Sequence, residues 1–123
     1  NKTAQDRKIR RLAEEAWMRN FKKKAEIAVT SQGNWEWTPS GSCANSDALW
    51  SMLVSAANNN ANLLLNFGPK PDGSIPEDVA VNFRQLGRRI AKKGYPALNT
   101  STYLELRHKS EAVDSSEKDK TAR

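Results

Sequence analysis

Residues 62–76 read NLLLNFGPKPDGSIP, and no other stretch limits the fold of this chain so closely. It opens on Leu63, Leu64 and Leu65 between Asn62 and Asn66. An apolar run this short, met at once by turn residues, fits a buried strand over residues 62–67 better than a helix. Gly68, Pro69, Pro71, Asp72 and Gly73 then turn the chain. Ser74, with Glu77 three residues on, has the form of a capping box. The serine hydroxyl would take a free amide of the first helical turn, and Glu77 would reach back to the Ser74 amide. Pro76 suits that first turn, where its missing N–H would have had no partner. The stretch therefore predicts strand, loop, helix start. In parallel sheets, loops of this kind, at the C-terminal ends of strands, build the active sites.

The flanking sequence alternates in the same way. Ile9, Leu12, Ala13, Ala16, Trp17, Phe21 and Ala25 recur at steps of three and four, which predicts an amphipathic helix over residues 4–25. Ile27 and Val29 share a face and predict a strand over 26–31, followed by a loop carrying Gly33, Trp35 and Trp37 and a turn at Pro39 and Gly41. Leu49, Met52, Leu53 and Ala56 mark a helix over 46–58, capped by Asn45 or Ser46 and ended by Asn58, Asn59 and Asn60. A third helix runs from about Pro76 to Lys93 on the stripe Val79, Phe83, Leu86 and Ile90. Gly94 is its left-handed stop, and Pro96 prevents continuation. Tyr103, Leu104 and Leu106 suggest one more short strand. From Arg107 to Arg123 only Ala112, Val113 and Ala122 are apolar, too little to offset chain entropy, so the tail is expected to be disordered.

Strands alternating with helices imply parallel pairing through crossovers, an α/β architecture. Two strands do not make a stable sheet by themselves. The residues alone thus describe a piece of a larger α/β structure, or a chain that associates.

Charge narrows the partners. The net charge of +6 lies wholly in residues 1–25, which hold nine Lys/Arg against three Asp/Glu. Such a basic face can meet phosphates, but it is more often simply solvated, and nucleic acid is not the expected partner. The single cysteine, Cys43, excludes a disulfide scaffold and a cysteine-based zinc site. The single histidine, His108, lies in the polar tail without a neighbouring acid and reads as a surface residue. No apolar run approaches the length that crosses a membrane.

The opening stretch resembles the last barrel strand and following loop of the α-L-fucosidases of glycoside hydrolase family 29. Their pattern is close to G-N-L-L-L-N-x-G-P-x-x-D-G-x-I, and residues 62–75 follow it nearly throughout, with Ala61 in place of the leading glycine. Upstream, Glu26-Ile27-Ala28-Val29-Thr30 resembles the family segment E-x-C-x-T, with Trp35 and Trp37 where the family places aromatics. Ala25 and Ala28 stand where the family has Trp and Cys, and Glu36 stands where it has Gly. The resemblance covers roughly residues 26–96; residues 1–25 and 107–123 carry none.

The resemblance implies that the chain is the C-terminal βαβα portion of a (β/α)8-type barrel. With the periodicity of the flanking sequence, it divides the chain into three segments: a basic amphipathic helix at 1–25, a fucosidase-like βαβα segment at 26–98 and a polar, largely disordered tail at 99–123. It also implies retaining hydrolysis of α-L-fucosides, which needs two carboxylates about 5–5.5 Å apart. About six further strands of such a barrel, with the family's aspartate nucleophile and sugar-binding histidines, have no counterpart here. Asp72, Glu77, Asp78 and Asp47 are accounted for by a turn and by helix starts. Glu26, aligned with a family glutamate near the pocket, is the candidate for chemistry, against the plainer reading of a structural ion pair. Trp35 and Trp37 are candidate sugar-stacking residues, unless one of them belongs to the core. Asn66 either points its amide at the pocket or ties down the loop, and the second suits its position better. No metal or cofactor is implied.

Two functions from different classes follow. One is a fragment or remnant of a fucosidase-type hydrolase acting on fucosylated glycans, inactive as this chain alone. The other is a non-catalytic binding or assembly subunit derived from that fold, docking to another protein chain or to itself. The family resemblance would place either in a secreted, periplasmic or lysosomal setting.

Overall fold

A computed structural model of the chain describes residues 3–19 and 25–101, together with residues 105, 108 and 112. It contains α1 (Ala4–Arg19), β1 (Ala25–Thr30), α2 (Ser46–Asn58), β2 (Ala61–Asn66) and α3 (Glu77–Lys93). The helix predicted over 4–25 does not reach its predicted end: Ala25 is the first residue of β1, where its buried side chain serves the sheet instead. Residues 20–24, the strand at Tyr103, Leu104 and Leu106, and nearly all of the predicted disordered tail lie outside the described residues. His108 is exposed.

β1 and β2 pair in parallel, from Ala25 opposite Ala61 to Thr30 opposite Asn66. Alternation sorts their side chains. Ala25, Ile27 and Val29 are buried on one face, where Leu63 and Leu65 join them. All three helices contribute to that side. Ile9, Ala13 and Ala16 come from α1, Leu49, Met52 and Ala56 from α2, and Leu86 from α3. Ile9, Ile27 and Leu49 are closed off from solvent almost completely and form the centre.

The opposite face, with Glu26, Ala28, Asn62 and Leu64, is exposed. The run Leu63-Leu64-Leu65 reads as a fully buried strand, yet Leu64 is 53% exposed. No second layer covers that face among the described residues, so the middle leucine has nothing to pack on. Such continuous apolar strands belong to sheets covered on both sides.

The helix ends show why the boundaries fall where they do. Thr3 and Asp6 close a reciprocal box at the start of α1. The Asp6 amide donates to Thr3 Oγ1 (3.1 Å), and the Thr3 amide and hydroxyl donate to Asp6 Oδ2 (3.2 and 2.8 Å). Asn45 caps α2 by accepting from the Ala48 amide (2.8 Å). At α3 the predicted Ser74–Glu77 box does not form. Pro76 is the N-cap and makes no side-chain cap bond, while Ser74 donates both its amide (2.9 Å) and its hydroxyl (2.6 Å) to Asp72 Oδ1. A carboxylate two residues back captures the serine before the helix can use it. Gly94 ends α3 where predicted and with positive φ (+77°), but its ψ of 172° makes it an extended glycine turn and not the expected left-handed helical stop.

Candidate functional site

The loops that leave the two strands at their C-terminal ends meet each other, and bonds between side chains and main chain fix how. Past Thr30, the chain runs on beside the end of β2. Both the amide and the hydroxyl of Ser31 donate to the Asn66 carbonyl (2.8 Å each). Gln32 is buried, and its Oε1 accepts from the Gly68 amide (2.8 Å). The Thr30 hydroxyl donates to the Asn34 carbonyl (2.8 Å) and tightens the bend between them. Asn66 Nδ2 donates to the Trp35 carbonyl (3.0 Å).

Gly68 completes the frame by close approach. A Cβ there would lie 2.3 Å from the Trp37 amide nitrogen and 2.7 Å from the Glu36 carbonyl carbon. Only a residue without a side chain lets the two loops touch in this way. Behind them, Phe67 meets Phe83 of α3 edge to face, with ring centroids 6.0 Å apart.

This frame borders an open pocket of about 340 Å³, lined by Trp35, Glu36, Trp37, Asn66, Phe67, Gly68, Pro69 and Pro71. Trp35, Trp37 and Asn66, singled out from the sequence, thus stand together. Neither tryptophan is core: Trp35 is 56% exposed and Trp37 half-buried. Asn66 ties the loop, since its amide nitrogen is committed to Trp35. Aromatic and proline surfaces beside a few polar groups suit a ligand with one apolar face and several hydroxyls, such as a sugar ring.

Glu26 stands apart from this group. It opens β1 opposite Asn62, on the exposed sheet face, and its Oε1 accepts from Asn62 Nδ2 (2.8 Å). Four residues of strand, about 13 Å, separate it from the end where the pocket lies. The carboxylate that does line the pocket is Glu36. Glu36 is exposed as well as lining the pocket. Sequence reasoning missed Gln32 and the contact at Gly68, whose roles depend on partner residues 36 and 31 positions away. The remaining acids are placed by structure. Asp47 pairs with Arg89 (3.0 Å), whose guanidinium lies 4.6 Å over the Trp50 ring. Asp78 accepts from the Cys43 amide (2.8 Å). The Ser74 hydroxyl and amide hold the Asp72 carboxyl below its ordinary range.

Residues 2–95 match the family described as alpha-L-fucosidase. The chain belongs to the α-L-fucosidase family. No curated protein and no solved structure matches it. The fucosidase match takes in α1 as well as the two βα units, further upstream than the motifs themselves reach. It assigns the chain a glycoside-hydrolase origin, and the pocket described above is built from the same fucosidase segment. Among the described residues, no group of three or more His, Cys, Asp or Glu could hold a metal ion, and no helix is long and apolar enough to cross a membrane. A larger cavity of about 670 Å³ runs between α1 and α2, lined by Arg10, Trp50 and Asn58 among others, and shares no residue with the strand-end loops.

Proposed function

We propose that the chain is the C-terminal βαβα part of a retaining α-L-fucosidase barrel, and that the pocket at its strand ends is one wall of the fucoside site. The observation that carries this reading is the convergence of Trp35, Trp37 and Asn66 on one pocket at the C-terminal ends of two parallel strands. That is the end of a βα barrel where substrates bind. In this role the tryptophan faces stack on the apolar side of the sugar, and Asn66 holds Trp35 in place. Glu26 sits at the opposite strand end and would face the barrel interior, bonded to Asn62.

Retaining hydrolysis requires a nucleophile and an acid/base about 5–5.5 Å apart. The pocket lining offers one carboxylate, Glu36, so at least one catalytic group must come from other strands. The chain alone is therefore expected to bind a fucoside and not to hydrolyse it. Assembly with another chain is the second reading, favoured by the exposed sheet face and the two open edges of a two-stranded sheet.

The test is hydrolysis of a chromogenic α-L-fucoside by the purified chain, with intact mass to establish what is present, and titration of the chain with methyl α-L-fucoside. Binding lost on Trp35→Ala, without turnover, is the expected result. Turnover by a sample whose mass is this chain alone would overturn the partial-barrel reading. Absence of any binding would overturn the assignment of the pocket.

A further inference from the structure

The lining of the strand-end pocket has an uneven polarity. Trp35, Trp37, Phe67, Pro69 and Pro71 are apolar surfaces. The Asn66 amide nitrogen is already donated to the Trp35 carbonyl. The only charge in the lining is the Glu36 carboxylate. It forms no ion pair among the described residues. Lys70 stands between the lining residues Pro69 and Pro71 but is not itself part of the lining. Glu36 also occupies a position where the fucosidase motif has a glycine and so no side chain.

We infer that Glu36 makes this wall selective for neutral fucosylated glycans over sulfated ones, an inference that rests on the pocket being a fucoside wall. A carboxylate accepts hydrogen bonds from sugar hydroxyls, and these charge-assisted bonds are stronger than neutral ones. The same carboxylate repels a sulfate brought to the rim. Because Glu36 is exposed, that repulsion is screened by salt. The main chain at residue 36 is held against Gly68, so the carboxylate cannot be carried away by movement of the backbone.

The experiment follows the indole N–H resonances of Trp35 and Trp37 in the full chain. The probes are methyl α-L-fucoside and the same fucoside carrying one O-sulfate, each titrated at low and high salt. At low salt the sulfated probe should bind about three- to tenfold more weakly than the neutral one, the discrimination expected of one like charge at the rim. The gap should close in Glu36→Gln and shrink in high salt. Equal binding of the two probes overturns the inference and leaves the fucoside wall standing. So does a gap that survives Glu36→Gln, because sterics would then explain it. If neither probe moves either indole resonance, the pocket assignment falls and the inference falls with it. Glu36 is exposed and makes no core contact, so its substitution should leave the fold intact.

Discussion

An alanine at position 68 would have to displace main chain, since its Cβ would lie 2.3 Å from the Trp37 nitrogen. No flexible side chain is available there to give way. Gly68→Ala should cost about 1–3 kcal/mol and shift the indole signals of Trp35 and Trp37 before any ligand is added. Unchanged indole signals in a folded variant would show that the loops are not locked by this contact. Cys43 is a second residue with a testable state. Burial pushes its thiol up, the charge of Asp78 adds to this, and bonds to Ser31 and Asn82 oppose it. A raised pKa leaves less thiolate at any given pH, and the thiolate is the reactive form. A colorimetric disulfide reagent at neutral pH should therefore react much faster after denaturation than before. Equal rates would mean that the fold neither shields Cys43 nor suppresses its thiolate. Among residues, those explained by their near neighbours were legible in the sequence: Asn45 as a cap, Gly94 as a stop. Gln32 was not, because its meaning is a hydrogen bond to an amide 36 positions away.

Elements fared differently according to how local their causes are. The span of α2 is the one its stripe and flanking asparagines predict, and both strands begin one residue earlier than their apolar runs suggest. The start of α3 is where local grammar was misleading, because two short-range motifs compete for Ser74. Asp72 is nearer in sequence and wins the hydroxyl. At α1 the Thr3–Asp6 box does close. This makes the loop before α3 pH-sensitive in a defined direction. The folded carboxyl of Asp72 is held below its unfolded value, so its stabilising bonds are fully present above that value. They are lost as the pH falls through the lower, folded one. The Ser74 amide signal should thus hold steady until the pH drops below about 4, and then move with loss of the turn. Asp72→Asn should abolish that titration. A Ser74 signal already moving near pH 6 would point to a different group.

For the whole molecule, one layer of helices on one face of two strands gives a small core with little redundancy. Leu49 lies at its centre, fully buried. Leu49→Ala should lose about 2–5 kcal/mol in a urea melt, a large share of what a domain of this size has. A loss under 1 kcal/mol would mean that α2 is not anchored there. The α/β class and parallel pairing were legible because alternation of strand and helix signals admits few other arrangements. The bare sheet face was not, since the leucine run promises a cover that no described part of the chain supplies. At positions 35–37 the frame of the pocket engages backbone atoms: the Trp35 carbonyl accepts from Asn66, and the main chain of Glu36 and Trp37 lies against Gly68. Positions 35, 36 and 37 are thus like a socket whose mounting does not depend on what is plugged into it. Mutation can exchange the side chains there, one at a time, without first undoing the scaffold, so recognition in this segment is free to drift while its architecture stays put.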